Sequence, residues 1–245
     1  EIACGVDVVP GTAEYPLYTT FEDCPPVDVI VDFSTWKPGA DLLTYAVKHR
    51  IPAVIATTGL SEEQLAAIDE AYVLGLPVKI NCVPLSNMQE ADLLAMLELV
   101  KNRNIPLRFI ELMPLSCNSE LQGVSGEAIR SKLAEAGIQL LKVESTLGNG
   151  PAVYYQAEGY AGAIGFIEPL HNKFCHSCNR IRLTATGLLK PCLYAKETFD
   201  LQALLRNGAT DEEILEALRQ AIYAKPQGHA FEISPANFPM SAIGG

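Results

Sequence analysis

The first half of the chain alternates short apolar, β-branched runs with segments whose apolar positions fall three and four apart. Strands are predicted at Glu1–Val9, ending at Pro10-Gly11, at Val27–Phe33 and at Ile51–Ala56. The last two are continuous apolar runs of the kind buried within parallel sheets. Between them, Lys37–His49 carries Leu42, Leu43, Ala46 and Val47 on one helical face, and Ser61 with Gln64 forms a capping box for a second helix. Pro77–Val83 reads as a further strand. The helix after it is predicted to be capped by Asn87, with Glu90 at its third position and Leu93, Met96, Leu97 and Val100 as its core stripe. Leu107–Leu112 is one more buried strand. This rhythm predicts an α/β layer, a parallel sheet covered by helices.

After about residue 115 the pattern changes to a smaller α+β arrangement. Ser125 caps a short helix ending at Gly137, and short strands follow at Val143, Ala152–Gln156 and Ala163–Ile167. Residues 181–193 read as a hairpin turning at Thr186-Gly187. Thr210 with Glu213 opens a late helix, expected to turn Ile214, Leu215, Leu218 and Ile222 inward.

Charge divides the chain further. The 245 residues carry a net charge of −11, but residues 1–72 hold 12 acidic against 3 basic side chains and the remainder 17 against 15. A boundary near residue 72 is therefore expected, giving segments 1–72, 73–115 and 116–245. The acidic balance argues against a nucleic-acid partner. No apolar run approaches the roughly 18–20 residues that span a bilayer, and Glu1-Ile2-Ala3 begins no leader segment. Seven cysteines, three of them crowded together, form a metal or redox pattern for a reducing, cytoplasmic compartment rather than a disulfide framework. Self-association is left open.

Cys175-His176-Ser177-Cys178 is a C-x2-C, and Cys192 lies beyond the expected hairpin, which returns it to the loop. Three convergent thiolates suit a 4Fe–4S cluster with one open iron. A zinc site is the alternative, with His171 or His176 as fourth ligand; three buried free cysteines are the plain structural reading. Arg180 and Arg182 alternate onto one strand face, where paired guanidinium forks hold an anion such as a polyphosphate or carboxylate.

From about residue 73 onward the sequence resembles the C-terminal half of the GTP 3′,8-cyclase family, radical S-adenosylmethionine enzymes of molybdenum-cofactor synthesis. The carriers are GLPVKINCVPL (75–85), IPLRFIELMPL (105–115), GVSGEAIR (123–130), GNGPAVYY (148–155), FCHSCNRIRLTATGLLKPCLY (174–194) and KPQGHAFEISPANFPMSAIGG (225–245). The resemblance implies the last strands of a partial TIM barrel followed by an iron–sulfur domain. It implies that Cys175, Cys178 and Cys192 hold a 4Fe–4S cluster whose open iron meets GTP. Lys79, Arg108 and the Arg180-Ile181-Arg182 stretch would lie against GTP, Met113 would contact S-adenosylmethionine, and Gly244-Gly245 would thread into the active site. The family's first cluster motif, C-x3-C-x2-C, is absent from these residues, so the chain is expected to be inactive by itself.

Residues 1–71 resemble part of the dinucleotide-binding domain of 4-hydroxy-tetrahydrodipicolinate reductases, through EIACGVDVVPG (1–11), VDVIVDFSTWKPGA (27–40) and IPAVIATTGLSEEQL (51–65). That resemblance implies a Rossmann-like fragment using NAD(P), with Asp7 on the adenosine ribose and Thr57, Thr58 and Gly59 near the nicotinamide. The family's glycine-rich fingerprint is not found here. The strand–helix layer is expected to continue across the seam. Three readings follow: a cyclase-like GTP-binding iron–sulfur protein, an NAD(P)-dependent reductase fragment, or a non-functional hybrid or metal-binding remnant.

Overall fold

The computed structural model describes residues 2–7, 11, 13, 15–32, 39–55, 62–75, 77–114, 120–144, 147, 150–184, 186–195 and 197–229. It separates into two compact units, Glu1–Val78 and Lys79–Gly245.

In the first unit, β1 (Gly5–Val6) pairs in parallel with β2 (Leu17–Tyr18), and β3 (Ile30–Asp32) pairs in parallel with β4 (Ala53–Ile55). Two helices complete it, α1 (Gly39–His49) and α2 (Glu62–Val73). The predicted face of α1 is buried, and Leu42 and Leu43 pack with Phe21 and Ile30. The strands differ from expectation. Val29, Val31 and Val54 are exposed, so β3 buries one face rather than two. Ile30 turns toward α1 and its neighbours alternate away from it, which is the geometry of a two-stranded sheet covered on one side. The cap expected at Ser61 lies outside the described residues.

The second unit is built on a five-stranded mixed sheet. In chain order it comprises β5 (Ile80–Cys82), α3 (Glu90–Lys101), β6 (Leu107–Ile110), α4 (Gly126–Glu135), β7 (Leu140–Val143), β8 (Val153–Ala157) and β9 (Ile164–Ile167). The spatial order is β5-β6-β9-β8-β7, parallel through the first three strands and antiparallel after them. Among the described residues, β3–β4 and β5–β6 belong to separate hydrogen-bonded sheets, where one continuous layer was expected.

Leu93, Leu97 and Val100 of α3 and Ile129 and Leu133 of α4 are buried, as are Leu107, Phe109, Ile164 and Phe166 of the sheet. Phe109 and Phe166 stack at 5.7 Å, and Tyr155 meets Phe166 edge-on at 5.5 Å. Arg130 lies over the Phe166 ring and forks onto buried Glu168 with two 3.1 Å bonds.

Local signals in this unit resolve unevenly. Ser125 caps α4 by accepting from the Ala128 N–H at 3.2 Å. The start of α3 shifts two residues from the expected Asn87, to Gln89. The Asp92 carboxylate reaches back to the Gln89 N–H at 3.0 Å, so Asp92 rather than Glu90 closes the turn.

The remainder forms an antiparallel three-stranded sheet, β10 (Arg182–Leu183), β11 (Leu188–Lys190) and β12 (Phe199–Asp200), then α5 (Leu201–Arg206) and α6 (Asp211–Tyr223). The Thr210–Glu213 capping box opens α6 as expected. Its inward face is corrected: Ala221 is buried and Ile214, Ala217 and Leu218 are half-buried, while Leu215 and Ile222 are exposed. Small alanines complete the stripe, so a pattern read from large apolar residues alone is rotated. Among the described residues, no helix is long and apolar enough to cross a membrane.

Candidate functional site

The C-x2-C folds as one 3-10 turn, Cys175–Ser177, in which the Ser177 and Cys178 N–H groups return to the Phe174 and Cys175 carbonyls at 3.1 and 3.2 Å. Both thiols are half-buried, and so is that of Cys192. The chain then enters β10, where the antiparallel register sets Arg182 opposite Lys190. The pairing ends at that residue pair, and Cys192 follows two residues after Lys190. The reversal depends on Gly187, whose φ of 75° suits glycine and whose absent Cβ would stand 2.5 Å from Cβ of Gln202.

Polarity along β10 runs opposite to a simple sheet surface. Ile181 and Leu183 are exposed, Arg182 is half-buried and Thr184 is buried. Burial pushes the Arg182 guanidinium below its ordinary range; Cys192 and Cys178 draw it back up, and Arg180 lowers it further. These couplings put the guanidinium within electrostatic reach of both thiols. Lys190 is enclosed on β11 and donates to the Ala195 carbonyl at 2.7 Å. Burial lowers its pKa, and Cys192 opposes the shift.

A second basic group gathers on one face of the five-stranded sheet. Lys79 and Asn81 share a face because side chains alternate along a strand, and the register sets Arg108 beside Asn81 and Gly165 beside Arg108. Arg108 Nε donates to Asn81 Oδ1 at 2.7 Å. A Cβ on Gly165 would stand 2.8 Å from the Tyr154 ring and 3.1 Å from Cγ of Arg108, so glycine is what lets these two lie side by side. Lys79 Nζ donates to the Leu147 carbonyl at 2.9 Å. Arg180 Nη2 lies 3.7 Å from where a Gly150 Cβ would be. Lys79 and Arg180 thus reach the same β7–β8 connection from separate elements.

Met113 lies just past β6 and, with Leu170, Leu193 and Tyr194, packs against one apolar cluster. The last two directly follow Cys192. Glu111, buried at the end of β6, accepts from the Leu170 and His171 amides at 2.7 and 3.2 Å and also meets the His171 ring. It therefore pins the loop that leads into Cys175. His229 Nε2 donates to the Pro169 carbonyl at 2.6 Å in the same region.

Several of these groups carried no sequence signal. Glu111, Lys190 and Lys225 sit in no spacing that local periodicity could select. Lys225, beyond α6, donates to the carbonyls of Cys178 and Arg180 at 2.6 and 2.7 Å and reaches Cys178 Sγ at 3.5 Å. Asp7 stands exposed after β1, its N–H bonded to the Tyr18 carbonyl at 3.0 Å. Thr57, Thr58, Gly59, Gly244 and Gly245 lie outside the described residues.

Among the described residues, no three cysteine, histidine, aspartate or glutamate side chains close on one point at ligand distance. The donor chemistry nonetheless fits a three-thiolate centre: three half-buried free thiols, with the Lys225 ammonium on one and the Arg182 guanidinium coupled to two. Of the two histidines considered as zinc ligands, His171 engages Glu111 through Nδ1 and His176 is exposed.

Residues 105–231 match the family profile described as Molybdenum Cofactor Synthesis C, and residues 5–88 match Dihydrodipicolinate reductase, N-terminus. The GTP 3′,8-cyclase of Clostridium perfringens (strain SM101 / Type A) is 36% identical over 179 residues, 73% of this chain and 55% of that protein. That of Thermodesulfovibrio yellowstonii is 36% identical over 194 residues, 78% of this chain and 60% of the relative. That of Syntrophomonas wolfei is 42% identical over 167 residues, 66% and 51% respectively. The chain spans about half the length of the curated relatives it matches.

Proposed function

This chain belongs to the Molybdenum Cofactor Synthesis C family, and on that premise we propose that its second unit is the GTP-binding half of a GTP 3′,8-cyclase-like protein. Segment β5–α3–β6 is the end of a partial TIM barrel, and the hairpin region is an iron–sulfur domain. Cys175, Cys178 and Cys192 would hold a 4Fe–4S cluster, which when bound supplies an open iron for a ring nitrogen or oxygen of the purine. Arg180, Arg182, Lys79 and Arg108 hold the triphosphate by charge-assisted hydrogen bonds. Ile181, exposed between them in sequence, belongs to the same stretch by resemblance, and Met113 would face S-adenosylmethionine. Gly244-Gly245 belong to the same site by resemblance.

The observation carrying this reading is the convergence of Lys79 and Arg180 on the β7–β8 connection. Two cations from separate elements at one loop make an anion site that neither strand makes alone. Among the described residues Lys79 donates there to the Leu147 carbonyl, which a phosphate oxygen could replace with a stronger, charged acceptor.

The test is anaerobic reconstitution of the 245-residue chain. Retention of about four irons with matching sulfide, followed by GTP binding in calorimetry, supports the reading. Stoichiometric zinc without sulfide overturns it. With S-adenosylmethionine, reductant and GTP, these 245 residues alone yield no 5′-deoxyadenosine, because they contain no C-x3-C-x2-C; turnover by the purified chain contradicts that.

A second reading rests on the match of residues 5–88 to the reductase N-terminus. The first unit is then a Rossmann-like fragment in which Asp7, at the end of β1, meets the adenosine ribose of NAD(P). Fluorescence titration with NADPH decides it, absence of binding removing this reading.

A further inference from the structure

We propose that Lys225 is a positioning residue: its ammonium clamps the segment from Cys178 to Arg180 and so presents one thiol and the paired arginines as a unit. The proposal rests on the reading of Cys175, Cys178 and Cys192 as cluster ligands. A lysine ammonium has three donors and no acceptor. Two are used on the Cys178 and Arg180 carbonyls at 2.6 and 2.7 Å, and Cys178 Sγ lies at 3.5 Å. Carbonyls two residues apart in extended chain point the same way, so one cation can hold both.

The clamp is long-range in sequence. Lys225 is 47 residues from Cys178 and 45 from Arg180. The held segment precedes β10, where strand pairing begins only at Arg182. Between the 3-10 turn and that pairing, the clamp is what ties the backbone to the end of α6. Charge-assisted bonds to carbonyls are roughly twice as strong as neutral ones. Restraint at Cys178 and Arg180 carries directly into the side chains proposed to meet cluster and phosphate. A cationic donor on a ligating sulfur also favours the more negative, reduced state of a bound cluster.

The experiment compares the full chain with Lys225→Met, Lys225→Gln and Lys225→Arg. In the metal-free proteins, hydrogen–deuterium exchange is followed by mass spectrometry across residues 178–182. In the reconstituted proteins, iron, sulfide and the cluster midpoint potential are measured. The neutral variants exchange faster in that segment alone and, with iron content retained, show a more negative midpoint; arginine restores both toward the wild type. Wild-type exchange and wild-type potential in a folded Met or Gln variant overturn the proposal. Should the wild type retain no iron and sulfide, the cluster reading fails. The exchange result in the metal-free protein still decides whether Lys225 holds the segment.

Discussion

The Glu111 carboxylate accepts the Leu170 amide at 2.7 Å, joining the end of β6 to a loop 59 residues later. That bond and its partner at the His171 amide fix the approach of the chain to Cys175. Glu111→Ala leaves the amide of half-buried Leu170 without its acceptor, a loss of about 1–3 kcal/mol, while the amide of exposed His171 can turn to water. Glu111→Gln retains an acceptor oxygen and loses less. Urea unfolding followed by circular dichroism ranks the two; equal midpoints for all three proteins would show that the loop is held by other contacts.

Nucleotide affinity should depend on side chains in a definite order. Charge-assisted contacts to phosphate contribute roughly 1.5–3 kcal/mol each. Arg180→Ala combined with Arg182→Ala abolishes GTP binding at low salt, and Lys79→Ala weakens GTP more than guanosine. Asp7→Ala changes neither. Calorimetry on the cluster-loaded chain measures all of these, and unchanged GTP affinity in the double variant would leave the β10 face an ordinary solvated surface.

Gly126 is where α4 passes Glu168 closely enough that a Cβ would run into its carboxylate. Gly126→Ala displaces Glu168 from its fork with Arg130, whose guanidinium also covers the Phe166 ring. Breaking such a buried pair costs about 3 kcal/mol. Thermal and urea unfolding should both report it, whereas Gly137→Ala, at an open positive-φ helix end, costs only about 1 kcal/mol.

The capping box of α6 makes one stability contribution pH-dependent. Hydrogen bonds from the Thr210 backbone and hydroxyl hold the Glu213 carboxyl below its ordinary range. A carboxyl lowered on folding stabilises the fold when ionised. Its contribution is complete above the ordinary carboxylate range and fades as the pH falls through that range and below. Glu213→Gln should flatten this part of the acid unfolding curve. Thr210→Ala should lower stability by about 1 kcal/mol at neutral pH; an unaltered acid profile in the Gln variant would count against the cap.

The rotated face of α6 can be read by truncation. Ala221 is fully enclosed, so Ala221→Leu overpacks the contact and costs about 1–3 kcal/mol. Leu215→Ala, at an exposed position, stays within about 0.5 kcal/mol of wild type. The reverse ranking in denaturant unfolding would restore the inward face expected from the large apolar residues.

What the sequence by itself determined is what short-range physics controls. The Ser125 and Thr210–Glu213 caps, the Gly187 turn and the β10–β11 hairpin each depend on residues a few positions apart or on one alternating strand pair. The motifs around the cysteines and arginines likewise sufficed for the family. Only tertiary structure decided that β5, β6 and β9 share a sheet extended by β8 and β7, and that β3 is exposed on one side. It also decided that Lys79 reaches Leu147 and that Lys225 clamps Cys178. Those bonds join residues 68 and 47 apart, and a lysine does not reveal in its neighbours which distant carbonyl it will meet. Periodicity shows that a face will be buried; which surface arrives to bury it depends on chain reversals whose combined geometry no local window contains.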